Sequence, residues 1–178
     1  MTSPTNHGHH RRIAFFSGSF DPFTRGHESI ARRALALFDE LVIGIGINPD
    51  KKPLMSVEQR IEWIEAVFCH DPRVRVISYS DYTIHAAGRV NASCLIRGVR
   101  DAKDFCYEKQ MADYNMHASG IDTVMLPALP DEADISSTQL RQIITGTGGD
   151  ISPLLPHHFP KHILAELMAQ NNSNQQDY

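Results

Sequence analysis

The chain has 178 residues, 42% of them hydrophobic and 21% charged, the proportions of a single globular domain with a sizeable core. Its 17 basic and 21 acidic residues leave a net charge of −4, which excludes an overall electrostatic footprint for nucleic acid, and no apolar run is long enough to span a membrane. The polar, His-rich start lacks the apolar segment of a secretory signal, and Cys69, Cys94 and Cys106 form no Cys-x-x-Cys pair, so a reduced, cytoplasmic chain is expected.

Residues 1–11 read as a flexible tail, 12–170 as the domain and 171–178 as a frayed polar end. His7, His9 and His10 carry no assigned role. Ile13–Phe16 is the first apolar run of strand length, and Ser17-Gly18-Ser19-Phe20-Asp21-Pro22-Phe23-Thr24-Arg25-Gly26-His27 follows it. A helix with Ile30, Ala34, Leu37 and Phe38 at helical spacing is expected from Gly26 to Phe38. A strand handing over to a helix offers unpaired N–H groups and a positive dipole end to an anion, and glycines let the backbone approach it. His27 in the first turn can donate to a phosphoryl oxygen. Taken as a lone Thr-x-Gly-His tetrapeptide, the same residues are better read as a hairpin-like turn with a stray histidine.

Leu41–Ile47 is the second strand, and Asn48-Pro49-Asp50-Lys51-Lys52-Pro53 follows. Most Lys-Lys pairs sit in solvated turns, yet a lysine beyond a strand end in this architecture can reach a crevice and neutralise phosphate. Ser56 and Gln59 suit a capping box, opening a helix that carries Ile61, Ile64, Ala66 and Phe68. Val74–Tyr79 and Ala92–Ile96 are the third and fourth strands.

Arg97-Gly98-Val99-Arg100-Asp101 comes next. The two arginines could grip separate phosphates or pair with Asp101 and Asp104, and spacing alone does not decide. A helix over Asp104 to Ala118 sets Asp104, Glu108 and Asn115 on one face. Thr123–Leu126 is the fifth strand. Ser136-Ser137-Thr138 opens a short helix whose hydroxyls and N–H groups suit either a polyphosphate or an ordinary N-cap. A last helix is expected near Lys161 to Gln170, after Pro160. Alternating strands and helices argue for an open, mostly parallel α/β sheet covered on both faces, with its ligand crevice beyond the carboxyl ends of the strands.

Gly-Ser-Phe-Asp-Pro followed by Thr-x-Gly-His resembles the opening signature of the nucleotidyltransferases that share the His/Thr-x-Gly-His motif. Arg-Gly-x-Arg-x-x-x-Asp-Phe-x-Tyr-Glu-x-Gln-Met-Ala-x-x-Asn, from Arg97 to Asn115, resembles the stretch that marks the phosphopantetheine adenylyltransferases within that superfamily. Asn-Pro-x-Lys-Lys-Pro-Leu matches their lysine loop, and Ile135-Ser136-Ser137-Thr138 their Ile-Ser-Ser motif. The likeness runs from about Ile13 to Pro156. Three departures stand out: Ser17 where proline is common, Glu132-Ala133-Asp134 before Ile-Ser-Ser, and Asp81-Tyr82-Thr83-Ile84-His85 in place of a more apolar stretch. Thr138-x-x-Arg141 also resembles the version found in pyridine-nucleotide adenylyltransferases.

The resemblance implies a Rossmann-like enzyme that transfers AMP from ATP to 4′-phosphopantetheine, giving 3′-dephospho-coenzyme A and pyrophosphate, with coenzyme A as a further candidate ligand. It implies His27, Lys51 and Arg100 as catalytic residues. Ser19, Phe20, His27, Gly98, Val99, Arg100, Glu108, Glu132, Ala133, Asp134, Ile135, Ser136, Ser137 and Thr138 are expected on the ATP side. Ser19, Lys51, Thr83 and Arg97 are expected on the acceptor side. Magnesium would accompany ATP without a dedicated protein cage, and a homohexamer is implied. The same chemistry on nicotinate mononucleotide, or on glycerol 3-phosphate with CTP, is the nearest rival, and a catalytically idle nucleotide sensor is a second.

Overall fold

The computed structural model describes residues 11–50, 52–147 and 149–176. Strands and helices alternate along the chain: β1 (Ile13–Gly18), α1 (Arg25–Ala34), β2 (Glu40–Gly46), α2 (Val57–Val67), β3 (Val74–Tyr79), α3 (Thr83–Arg89), β4 (Cys94–Val99), α4 (Ala102–Ser119), β5 (Asp122–Pro127), α5 (Ser137–Gln142) and α6 (Lys161–Gln176). A π-helical turn, Ile143–Thr147, follows α5. All pairings are parallel, in the order β3-β2-β1-β4-β5. The chain therefore reverses its direction of winding between β1 and β4, and the connections leaving those two strands diverge to opposite faces. That divergence opens a crevice at their carboxyl ends.

The register explains why the strands read as nearly continuous apolar runs rather than alternating ones. Phe15 lies beside Val42 and Leu95, while Phe16 lies beside Ile43 and Ile96. Phe15, Val42, Leu95 and Tyr79 pack on one face against Ala86 and Ala87 of α3. Ala14, Phe16, Leu41, Ile43 and Ile96 pack on the other, under residues of α1, α2 and α6 such as Ile30, Trp63 and Ile163. Burial on both sides is what a parallel sheet between helical layers demands. Coverage is uneven, because α4 buries only Glu108, and a groove remains between α3 and α4.

Several element ends differ from the sequence expectation. α1 stops at Ala34 and the chain turns through Leu37, which is 47% exposed, because Asp39 N–H must reach Arg12 O (3.0 Å) to start β2. β4 begins later and runs to Val99: Ser93 N–H donates to Ile13 O at 2.7 Å, and Arg97, Gly98 and Val99 pair with Met125, Leu126 and Pro127. Those three residues, expected beyond the strand, thus belong to it. α2 has the expected Ser56–Gln59 capping box but turns Trp63, Ile64 and Val67 inward, with Ile61 and Ala66 half-buried. α3 was not anticipated; its Ala86-Ala87 pair is the buried part of a seven-residue helix. α6 continues to Gln176, through residues expected to fray from Asn171. His7, His9 and His10 lie outside the described residues.

Candidate active site

Two cavities open at the crevice and share one wall. The larger, about 400 Å³, lies over the β1–α1 junction and the end of β4. The smaller, about 230 Å³, descends between α3 and α4 along the sheet face. Ser17, Arg97, Tyr107 and Glu108 line both. Of the expected nucleotide-side residues, Ser19, Phe20, His27, Gly98, Val99, Arg100, Glu108, Glu132, Ile135, Ser136, Ser137 and Thr138 border the larger cavity. Ala133 and Asp134 sit in the same turn without lining it. Thr83 borders the smaller cavity together with Ile84, Met111 and Asn115, and Lys51 lies outside the described residues.

The first turn of α1 fixes His27. Thr24 is the N-cap and His27 the third helical residue, so Thr24-x-x-His27 is a capping box with an imidazole where Glu or Gln is usual. Thr24 N–H donates to Nδ1 of His27 at 3.0 Å. A nitrogen that accepts that bond carries no proton, so the neutral ring holds its proton on Nε2. Phe20 and Phe23 pack on the ring with centroids 5.1 and 5.3 Å away. Burial among these aromatics, and then the charges of Arg100 and Arg97, push the imidazole pKa down from 6.5 to about 4. At neutral pH, His27 is an uncharged donor with a fixed tautomer beside the larger cavity. Phe20 reaches this place with φ of +47°, and a Cβ on Gly18 would lie 2.8 Å from its ring, so Gly18 is what lets the ring fold back.

Each arginine has a carboxylate. Arg97 makes a bidentate pair with Glu108, from Nε at 2.7 Å and from Nη2 at 2.6 Å, and its Nη1 donates to Ser17 O. Ser17 Oγ accepts from the same Nη1 at 3.3 Å. Arg100 pairs with Asp104 at 2.7 and 3.2 Å. Asp101 instead caps α4, accepting from Asp104 N–H at 2.8 Å. Spacing left arginine–phosphate and arginine–carboxylate contacts open; the second pairing exists, with Glu108 as the partner of Arg97. The Arg97 guanidinium still faces both cavities, held in one plane by Glu108.

Ser136 caps α5, accepting from Gln139 N–H at 3.1 Å, while Ser137 Oγ donates to Pro22 O at 2.8 Å. The hydroxyls expected to face phosphate are thus partly occupied by the fold. Glu132 is buried, 3.8 Å from Arg25 Nε, and its Oε2 has no hydrogen-bond partner among the described residues. Two buried carboxylates escaped the sequence reading. Asp21 accepts from Leu54 N–H and Met55 N–H, each at 2.9 Å, and from Arg141. Glu28 accepts from Arg32 Nε at 2.8 Å and from His157 N–H at 2.9 Å. Asp21 stands in the Gly-Ser-Phe-Asp-Pro signature and Glu28 lies four residues before Arg32, but their other partners are distant in sequence. Among the described residues no group of three His, Cys, Asp or Glu side chains could hold a metal ion, and no helix is long and apolar enough to cross a membrane.

Residues 15–143 match the cytidylyltransferase-like family. The chain is 46% identical over 149 residues to the phosphopantetheine adenylyltransferase of Porphyromonas gingivalis, covering 84% of this chain and 97% of that one. It is 40% identical over 168 residues to the enzyme of the same name from Parvibaculum lavamentivorans, covering 91% and 98%. A bifunctional NMN adenylyltransferase/ADP ribose pyrophosphatase from Francisella tularensis, complexed with AMP and a manganese ion, superposes with a TM-score of 0.64 at 19% identity over 92% of this chain. This chain spans 54% of the length of that protein. The likeness establishes the common sheet and helical layers.

Proposed function

Since the chain belongs to the cytidylyltransferase-like family and, within it, to the phosphopantetheine adenylyltransferases, we infer that it transfers the adenylyl group of ATP to 4′-phosphopantetheine, releasing pyrophosphate and 3′-dephospho-coenzyme A. The observation that carries the reading is the pair of cavities meeting at Arg97, Ser17 and Glu108. A reaction between two bound phosphates needs two chambers with a cation at their junction. ATP occupies the larger chamber and the pantetheine arm the groove between α3 and α4, beside Thr83. The acceptor phosphate attacks the α-phosphorus in line and pyrophosphate leaves. No covalent intermediate with the protein is required.

The work of the site is alignment and charge stabilisation. His27 donates from Nε2 to an α-phosphoryl oxygen, where negative charge grows in the transition state. Being neutral, it adds no net charge to ground-state binding, so its effect is concentrated on the transition state. Arg100 neutralises the polyphosphate and Arg97 the acceptor phosphate, each giving up part of its carboxylate contact. Lys51 supplies a further cation on the acceptor side. The carboxylates nearest the junction are committed to arginines, so the described residues fit magnesium only as a companion of the triphosphate, held by phosphate oxygens and water. When bound, that ion screens phosphate charge.

A homohexamer in the cytoplasm completes the reading. Support for self-association comes from α4, which leaves Phe105, Tyr107, Met111, Tyr114 and Met116 exposed. Support for a reducing compartment comes from Cys69, Cys94 and Cys106, all of them free. The test is direct: with ATP and magnesium, pyrophosphate and a product of the mass of dephospho-coenzyme A appear with 4′-phosphopantetheine and are negligible with nicotinate mononucleotide. The reverse preference overturns the assignment.

A further inference from the structure

Three segments from different places in the chain, two of which line the larger cavity, meet at one buried carboxylate. Asp21, 4% exposed, lies in the loop after β1. Its Oδ2 and Oδ1 accept from Leu54 N–H and Met55 N–H, in the chain that leaves the lysine loop after β2. Arg141 of α5 donates from Nη2 to Asp21 Oδ2 and, at 3.3 Å, to Asp21 O, and from Nη1 to Lys52 O at 3.4 Å. The β1 loop is held elsewhere too, by Arg60 Nη1 on Ser19 O at 3.0 Å and by Ser137 Oγ on Pro22 O at 2.8 Å.

A buried carboxylate is costly unless its hydrogen bonds are made, and removing one partner leaves the other uncompensated. Here every bond runs between segments rather than within one. We propose that Asp21 and Arg141 are positioning residues, a strut that fixes the exit of the lysine loop against α5 and the His27 turn. The inference rests on the functional reading above, because it is the two substrates' phosphates that the strut keeps in line. In this arrangement the Arg141 guanidinium spans two protein segments and is not a ligand of the triphosphate. Displacing a reacting group by about 1 Å can cost on the order of 100-fold in rate, so a loosened strut lowers turnover of the acceptor without touching either substrate.

The experiment compares the full-length wild type with Arg141→Ala, Arg141→Lys and Asp21→Asn. It measures kcat and KM for phosphopantetheine, the ATP Kd by calorimetry, Tm, and amide hydrogen exchange at Leu54 and Met55. Arg141→Ala should lower kcat/KM for the acceptor about 10- to 100-fold, leave the ATP Kd within about twofold and speed exchange at both amides. Arg141→Lys, which keeps a cation on Asp21, should recover most of the loss. If Asp21→Asn does not fold, the two Arg141 variants decide alone. A tenfold weaker ATP Kd with unchanged exchange would make Arg141 a phosphate ligand and overturn the strut. A lower Tm with unchanged kinetic constants would overturn it as well. Should the wild type not turn over phosphopantetheine, the substrate reading falls, while faster exchange at Leu54 and Met55 in Arg141→Ala still upholds the strut.

Discussion

At His27 a single backbone bond decides the chemistry. Thr24 N–H occupies Nδ1, so the ring can only donate from Nε2, and burial with two arginines nearby keeps it neutral down to about pH 4. His27→Ala should therefore lower kcat by roughly 10²–10³ while the ATP Kd changes much less; turnover and calorimetry on one preparation check this, and near-normal turnover in a folded variant refutes the role. The pKa itself makes a second prediction. A folded value below the unfolded 6.5 means the unfolded chain takes up the proton first, so the His27 contribution to stability is present above pH 6.5 and lost between there and about pH 4. A ring titration followed by NMR should show a midpoint near 4, with the Nε2–H tautomer above it. The motif containing His27 was legible in the sequence because its meaning is local: a cap, a turn, a helix start. The Arg97–Glu108 pair was half legible, since both residues stood out but spacing could not say that they bind each other. Asp21 was illegible as the partner of Arg141, and Glu28 as that of His157, because those bonds join segments 120 and 129 positions apart.

Elements succeed or fail on the same distinction. All five strands were visible as apolar runs, and the capping box at Ser56 announced α2. α3 was hidden because its seven residues bury little beyond Ala86 and Ala87, too short a stripe to show a period. Packing between strands gives the sharpest test at this scale. A Cβ at Gly44 of β2 would lie 2.2 Å from Cζ of Phe15 on the neighbouring strand. Phe15 is fully buried and cannot swing away. Gly44→Ala should thus cost about 1–3 kcal/mol, or more if β1 must shift, read as a lower denaturant midpoint. At α4 the cap matters most, because little burial holds that helix. Asp101→Ala removes the bond to Asp104 N–H and should cost about 1 kcal/mol, with Arg100 losing order as Asp104 moves.

For the molecule as a whole, the C-terminal segment is fastened to α1 through Glu28. Burial alone would raise that carboxyl's pKa; the His157 N–H, the His157 ring and Arg32 outweigh it and hold the value below 4.5. The stability this contributes is present above pH 4.5 and lost as the pH falls through the lower folded value. Glu28→Gln should flatten the acid limb of a Tm-against-pH curve; an unchanged limb would show that other carboxyls set it. The wall at Arg97 and Glu108 has a consequence of another kind. Two chambers that share this wall can be filled by one tethered compound, a nucleotide fragment joined to a pantetheine-like arm. Once the first fragment docks, the second is presented at an effective concentration in the millimolar range for a short flexible link. Inhibitor design against this fold then becomes a question of tether length across the shared wall.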